Sequence, residues 1–158
     1  MSGEMKFWRR QQTGTATIEM VAVTPLLLLL MLGVSEIGKG LIQYNTLNKS
    51  VREAARQVTR TALLGTTGTI WISDALELEG QNLVVYGNVA PTADSQPRLL
   101  GLSIDHVSVI DAGNNMVLIQ ANYPYVPLVG PVLETFGYGT DIATGGFTLT
   151  ASVMMRAL

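Results

Sequence analysis

Apolar residues are spread unevenly along the chain, and its two halves follow different periods. From Met20 to Ser35 there is no charge at all, and Pro25-Leu26-Leu27-Leu28-Leu29-Leu30-Met31-Leu32 forms the centre of the run. Such a stretch reads as a membrane-spanning helix over about residues 18–35. The helical pattern then continues. Leu47, Val51, Ala54, Ala55 and Val58 recur at spacings of three and four, a narrow apolar stripe on an otherwise polar helix that must pack on something. Gly65, after Leu63-Leu64 and before Thr66-Thr67-Gly68, is the expected stop. A helix over residues 15–64 would be roughly 75 Å long, more than twice the bilayer core, so half of it would stand outside as a stalk. Pro25 has no N–H to give Val21 and is expected to kink or locally unwind this helix. Gly33, Gly38 and Gly40 lower helix propensity near the outer membrane surface and would let another helix approach closely.

From Thr66 onward the period shortens to two. Phe147, Leu149, Ala151, Val153 and Met155 alternate with Thr148, Thr150, Ser152, Met154 and Arg156, the mark of a half-buried strand. Asp105 to Ile110 and Met116 to Tyr123 are expected to form a hairpin across Asp111-Ala112-Gly113-Asn114-Asn115, which has the chemistry for positive φ. Val117, Ile119, Ala121 and Tyr123 would share a face. Leu83 to Val89, ended by Pro91, reads as a fourth strand. Pro124, Pro127 and Pro131 punctuate a loop, and Pro131 is expected to open a short helix through Phe136, capped by Gly137. Trp71 and the stretch Asp74 to Glu79 fit a helical turn and a strand equally well. The economical fold is α+β: a long N-terminal helix over 15–64, and a β-rich head over 66–158 whose antiparallel sheet covers the Leu47–Val58 stripe.

One carboxylate, Glu19, sits just inside the apolar run. A charge at the centre of a spanning helix disfavours insertion by roughly 2.5–3.5 kcal/mol, and less near the edge, so such a residue has a partner and a role. Ahead of it lies a basic leader, residues 1–14, in which Lys6, Arg9 and Arg10 face only Glu4. The positive-inside rule leaves that end in the cytoplasm and the head outside. An ordinary secretory signal peptide fits less well, because no convincing small-x-small cleavage site follows Leu32 and the helical pattern does not stop.

The order of basic leader, Gly14, four residues, then Glu19 opening an apolar helix resembles the type IV prepilins and pseudopilins, which a membrane-embedded prepilin peptidase cleaves after the glycine. Further on, Pro25-Leu26-Leu27-Leu28-Leu29-Leu30, Gly33-Val34-Ser35-Glu36-Ile37-Gly38-Lys39 and Arg52-Glu53-Ala54-Ala55-Arg56 are similar to the TadE-like family, minor pilins of the tight-adherence (Tad, or Flp) pilus machinery. Leu149 to Arg156 is similar to that family's closing strand. The resemblance implies cleavage between Gly14 and Thr15. The new α-amine of Thr15 would then lie one helical turn from Glu19, within one subunit or between neighbours, and an amine with an ordinary pKa of about 8 would be charged there. It also implies partners: the peptidase, other pilins or pseudopilins, the inner-membrane assembly platform and the lipid bilayer.

Charge and composition narrow the functions. A net charge of −2 argues against nucleic acid, which requires a basic surface. With no cysteine there are no disulfides or thiolate metal sites. Arg52, Arg56 and Arg60 form a basic row that opposes the negative end of the helix dipole. It reads either as a solvated face or as a contact with a neighbouring subunit or with headgroups, and Glu36 joins these residues as a candidate subunit contact. A single histidine, His106, and the nearby Asp74, Glu77 and Glu79 assemble no catalytic set and no cation cage, so neither an enzyme nor a cofactor is expected. Tyr123-Pro124-Tyr125 offers an aromatic surface, although tyrosines beside prolines mostly brace loops. The expected function is therefore that of a minor pilin of a type IVb pilus in the cytoplasmic membrane, with its head in the periplasm. The alternative is an uncleaved single-pass anchor bearing a periplasmic binding domain.

Overall fold

The computed structural model of the chain describes residues 8–62, 70–135 and 137–157, with side chains described from Gly14 onward. Helix α1, Trp8–Thr61, is 54 residues long and contains Pro25. The helix runs through the proline without a break. Thr24 Oγ1 donates to Met20 O at 2.7 Å, one carbonyl before the Val21 oxygen that Pro25 leaves without its usual donor. Arg60 stands in the last turn, opposing the dipole. The expected stop at Leu64-Gly65 and most of the leader, residues 1–7, lie outside the described residues.

A second helix, α2, spans Asp74–Tyr86 and corrects the strand expected at Leu83 to Val89. Composition was misleading there, because Leu83-Val84-Val85-Tyr86 is rich in strand-forming residues. Capping and period decide otherwise. Ser73 Oγ accepts from Leu76 N at 3.3 Å, Asp74 and Glu77 occupy the first turn, and Gly87 closes the helix in the left-handed region at φ 76. Leu76, Gly80 and Val84 are buried at four-residue spacing, which is one helical face. The ambiguous stretch from Asp74 to Glu79 is thereby helical.

The sheet has three antiparallel strands in the order β1-β2-β5, with β1 Val107–Gly113, β2 Met116–Pro124 and β5 Thr148–Arg156. A short 3-10 turn, Ile104–His106, precedes β1, so the first strand begins two residues later than Asp105. The hairpin turn is where its chemistry points. Gly113, Asn114 and Asn115 have φ of 76, 52 and 59, and Asp111 Oδ1 accepts from Gly113 N at 2.8 Å. Val117, Ile119, Ala121 and Tyr123 of β2 are fully buried on the face toward the helices.

α1 packs on β2 and β5, and α2 packs on both α1 and β1. The Leu47–Val58 stripe is fully buried, yet the sheet does not cover it alone. A Cβ placed on Gly80 of α2 would stand 2.9 Å from Val58 Cγ2 and 3.2 Å from Val109 Cγ2, so only glycine lets the two helices and the sheet meet this closely. The head is two-layered, with a pair of helices on one sheet.

The helix expected from Pro131 to Phe136 is instead a small hairpin: β3, Val132–Leu133, pairs with β4, Ile142–Ala143. Local hydrogen bonds favour the extended form. Thr144 N and Gly145 N both donate to Pro131 O, at 3.0 and 3.2 Å, while Asp141 Oδ1 accepts from Thr135 N at 3.0 Å. Gly137, at φ 86, belongs to the turn rather than to a helix cap, and Phe136 lies outside the described residues. Together with its flanks this hairpin forms a finger, residues 124–147, between β2 and β5.

Candidate functional site

Function in this molecule rests on α1, whose two halves have opposite surroundings. Its most apolar 18-residue window has a mean hydropathy of 2.1 with none of that window buried in the fold, so the helix is long and apolar enough to cross a membrane. Ile18, Met20, Val21, Leu27 and Met31 all stand exposed. Beyond Gly40 the same helix becomes the spine of the head. One half thus offers apolar surface to an environment outside the chain, and the other supplies a rigid base for the domain.

At the N-terminal end, Gly14 and Thr15 are exposed on α1, and Glu19 is exposed one turn further on. A Cβ on Gly14 would meet no atom within 4 Å. The fold therefore does not need a glycine there, and glycine inside a helix costs about 1 kcal/mol relative to alanine. Thr15 and Glu19 are four residues apart and share a helix face. Pro25, with Met20, Val21, Thr24 and Leu28, lines an apolar notch of about 440 Å³.

The junction between exposed and packed halves is a polar clamp. Glu36 is buried and its carboxylate accepts three hydrogen bonds from two donors: Tyr125 Oη at 2.5 Å, and Leu128 N at 3.1 and 3.0 Å through its two oxygens. One turn on, Lys39 Nζ donates to Val126 O at 2.9 Å. Tyr125 lies on Gly40, stacks on Phe147 with ring centroids 4.5 Å apart, and donates its amide to Phe147 O. Burial, and then the Glu36 carboxylate that accepts its proton, push the Tyr125 hydroxyl up to about 12. Burial also raises the Tyr123 hydroxyl, which donates to Leu100 O at 2.9 Å.

The finger reaches further down the helix than the clamp. Tyr138 Oη donates to Ala22 O at 2.6 Å, fourteen positions before Glu36. Lipid cannot accommodate the finger's irregular backbone or its exposed Glu134 and Asp141. This contact and the hydrocarbon of a bilayer therefore compete for the same turns of α1.

The remaining candidates are dispersed. Arg52, Arg56 and Arg60 are exposed along α1. Arg98, absent from the sequence expectations, bridges Ser50 Oγ at 3.0 Å and Glu53 Oε2 at 2.7 Å and braces the loop after α2 on α1. His106 Nδ1 accepts from Ser103 N at 3.2 Å, which holds the 3-10 turn before β1. Glu36 was expected as a subunit contact, and the structure gives it partners in its own head. Lys39 was missed altogether. The pairing of an acid and a base one turn apart at the end of the apolar run, with Tyr125 and Pro127 later in the chain, was the available signal.

A long helix, apolar and bare at its start and packed on a small antiparallel sheet at its end, defines a pilin-like protein. Residues 14–56 match the family model described as TadE-like protein, so over this helix the chain is similar to TadE-like proteins. The match starts at Gly14 and ends at Arg56, before the head. That family is membrane-associated and structural rather than catalytic. No curated protein and no solved structure matches the chain significantly.

Proposed function

We propose that this chain is a minor pilin of a Tad (Flp, type IVb) pilus, made as a precursor and cut between Gly14 and Thr15 by a prepilin peptidase. The leader remains in the cytoplasm, α1 spans the membrane once over about residues 18–35, and the head lies in the periplasm. Its work is assembly. The bare apolar half of α1 packs among the helices of other pilins on the inner-membrane platform, and Glu19 docks on the Thr15 amine of its own or a neighbouring subunit. The observation that carries this reading is a match to the TadE-like family model that starts at an otherwise unneeded glycine, with an exposed carboxylate, Glu19, as the fifth residue past the cut. Glu19→Ala tests it. Membrane insertion should be unchanged or improved, because a charge has been removed from the apolar segment, while incorporation and pilus output fall. Unchanged piliation, with co-purification of other pilins preserved, would contradict the docking role.

An uncleaved anchor carrying a periplasmic domain is the second reading. It is favoured by the continuity of α1 from Trp8 through Gly14, because no local structure marks the cut.

A further inference from the structure

The face of α1 turned away from the head carries one continuous row in two chemistries. Leu27, Met31 and Val34 are 59%, 68% and 70% exposed. At the same spacing of three and four, beyond Asn45, the row becomes Lys49, Arg52, Arg56 and Arg60, all exposed. Successive residues of a helix turn by about 100°, so Leu27 and Asn45 point the same way and the cations stay within about 60° of that line. The buried Glu36, Leu47 and Val58 point to the other side. The one ion pair among the described residues joins Arg98 to Glu53, so none of the four cations in the row is paired there. Lys49, Arg52 and Arg56, together with the Arg98–Glu53 pair, instead border a groove of about 690 Å³ that opens outward.

Three occupants can be weighed by geometry. Lys49 to Arg60 lie roughly 20–40 Å along the helix beyond the end of the apolar run, well past a headgroup layer and a Debye length of about 8–10 Å. Lipid headgroups are out of reach. A second copy would enter the membrane from the same side and so run parallel, and a two-fold axis would set Arg52, Arg56 and Arg60 against themselves. Like charges facing each other reject that pairing. What the row fits is a helix that is apolar at bilayer depth and acidic above it.

We propose that this face docks a different membrane-spanning protein, whose helix runs parallel to α1 and presents Asp or Glu opposite Lys49, Arg52, Arg56 and Arg60. The proposal rests on the membrane-anchored reading for the parallel alignment, for the depth of the apolar half and for the distance of the row from the headgroups. It gives the basic row a role in choosing a non-identical neighbour.

The chain has no cysteine, so Asn45→Cys reports only on this face. The full chain carrying Asn45→Cys is produced in one membrane together with a size-tagged probe, the same chain with Asn45→Cys, Arg52→Glu, Arg56→Glu and Arg60→Glu. Mixed bismaleimide-linked dimers should exceed self-linked dimers of the unreversed chain about tenfold, and high salt should reduce that excess. Self-linked dimers as abundant as mixed ones would assign the face to a second copy. No excess of mixed dimers would show that the face is not a helix seam. Protection of the Asn45→Cys site from a water-soluble thiol reagent by anionic vesicles, relative to zwitterionic ones, would assign the row to lipid. Each of these three results overturns the proposal. Failure of the anchor reading is read separately, as release of the chain from the same membranes by alkaline carbonate.

Discussion

Glu36 and Tyr125, 89 positions apart in the chain, are joined by a hydrogen bond of 2.5 Å where α1 leaves its apolar run and enters the head. Because the same carboxylate also receives Leu128 N, removing it takes the acceptor from one buried donor, Tyr125 Oη, and one part-buried donor, Leu128 N. A lost buried partner costs about 1–3 kcal/mol, and more where the acceptor is charged. Glu36→Leu should therefore lower the unfolding temperature of the detergent-solubilised chain and open residues 124–147 to limited proteolysis, whereas Glu36→Gln retains an acceptor and should do less. Equal protease resistance in Glu36→Leu and wild type would show that the clamp does not hold the finger.

The clamp also fixes an alkaline response. Tyr125 holds its proton more tightly in the fold, up to about 12, than its ordinary value of 10.0. The associated stability is fully present below pH 10 and is lost as pH rises from there through about 12. Burial raises Tyr123 as well, so Tyr125→Phe should remove only part of this slope. Unfolding measured on both proteins below pH 10 and between pH 10 and 12 checks it. Identical slopes would mean that the Tyr125 proton is not coupled to folding.

Val51 and Val58 are fully buried between α1 and the rest of the head, although both precede it in sequence. An unpaired charge at either site costs several kcal/mol, a large share of a small domain's stability. Val51→Asp and Val58→Asp should thus each unfold the head well below the wild-type temperature. Arg56→Ala, on an exposed position, should change stability by less than about 1 kcal/mol. Wild-type unfolding temperatures for both aspartate variants would refute the two-layer packing.

Tyr138 reaches Ala22 across a stretch of α1 that is also apolar enough to lie in a bilayer. Both cannot hold at once. Ala22→Cys with Tyr138→Cys should link through a short bismaleimide once the chain is extracted from the membrane, and much less while α1 is inserted. Equal linking in intact membranes would place the finger and that turn of the helix together outside the hydrocarbon.

Long periodic patterns made much of this fold readable from sequence. Leu47 to Val58 at three-and-four spacing, the alternation from Phe147 to Met155, and Asn114-Asn115 between two apolar runs each specify a local geometry that the tertiary structure then uses. Val84 and Val85 did not, because their β-branched side chains favour a strand while Ser73 and Gly87, outside the run, fix a helix. Pro131 misled in a similar way: it can open a helix, but here its carbonyl accepts two amides from residues 144 and 145 and starts a hairpin. The partners of Glu36, Lys39 and Arg98 were beyond reach for another reason. They lie 89, 87 and 45 positions away, and no period encodes a contact at such separations.

The most direct test is the first residue of the mature chain, read by mass spectrometry from cells that hold the pilus machinery. A processed pilin begins at Thr15, and its Gly14→Val variant, whose bulkier side chain has free space in the fold, accumulates in the membrane as the full-length precursor. Wild-type chains that retain Met1, or that begin at any residue other than Thr15, would contradict cleavage at Gly14 and with it the pairing of Glu19 to a new amino terminus.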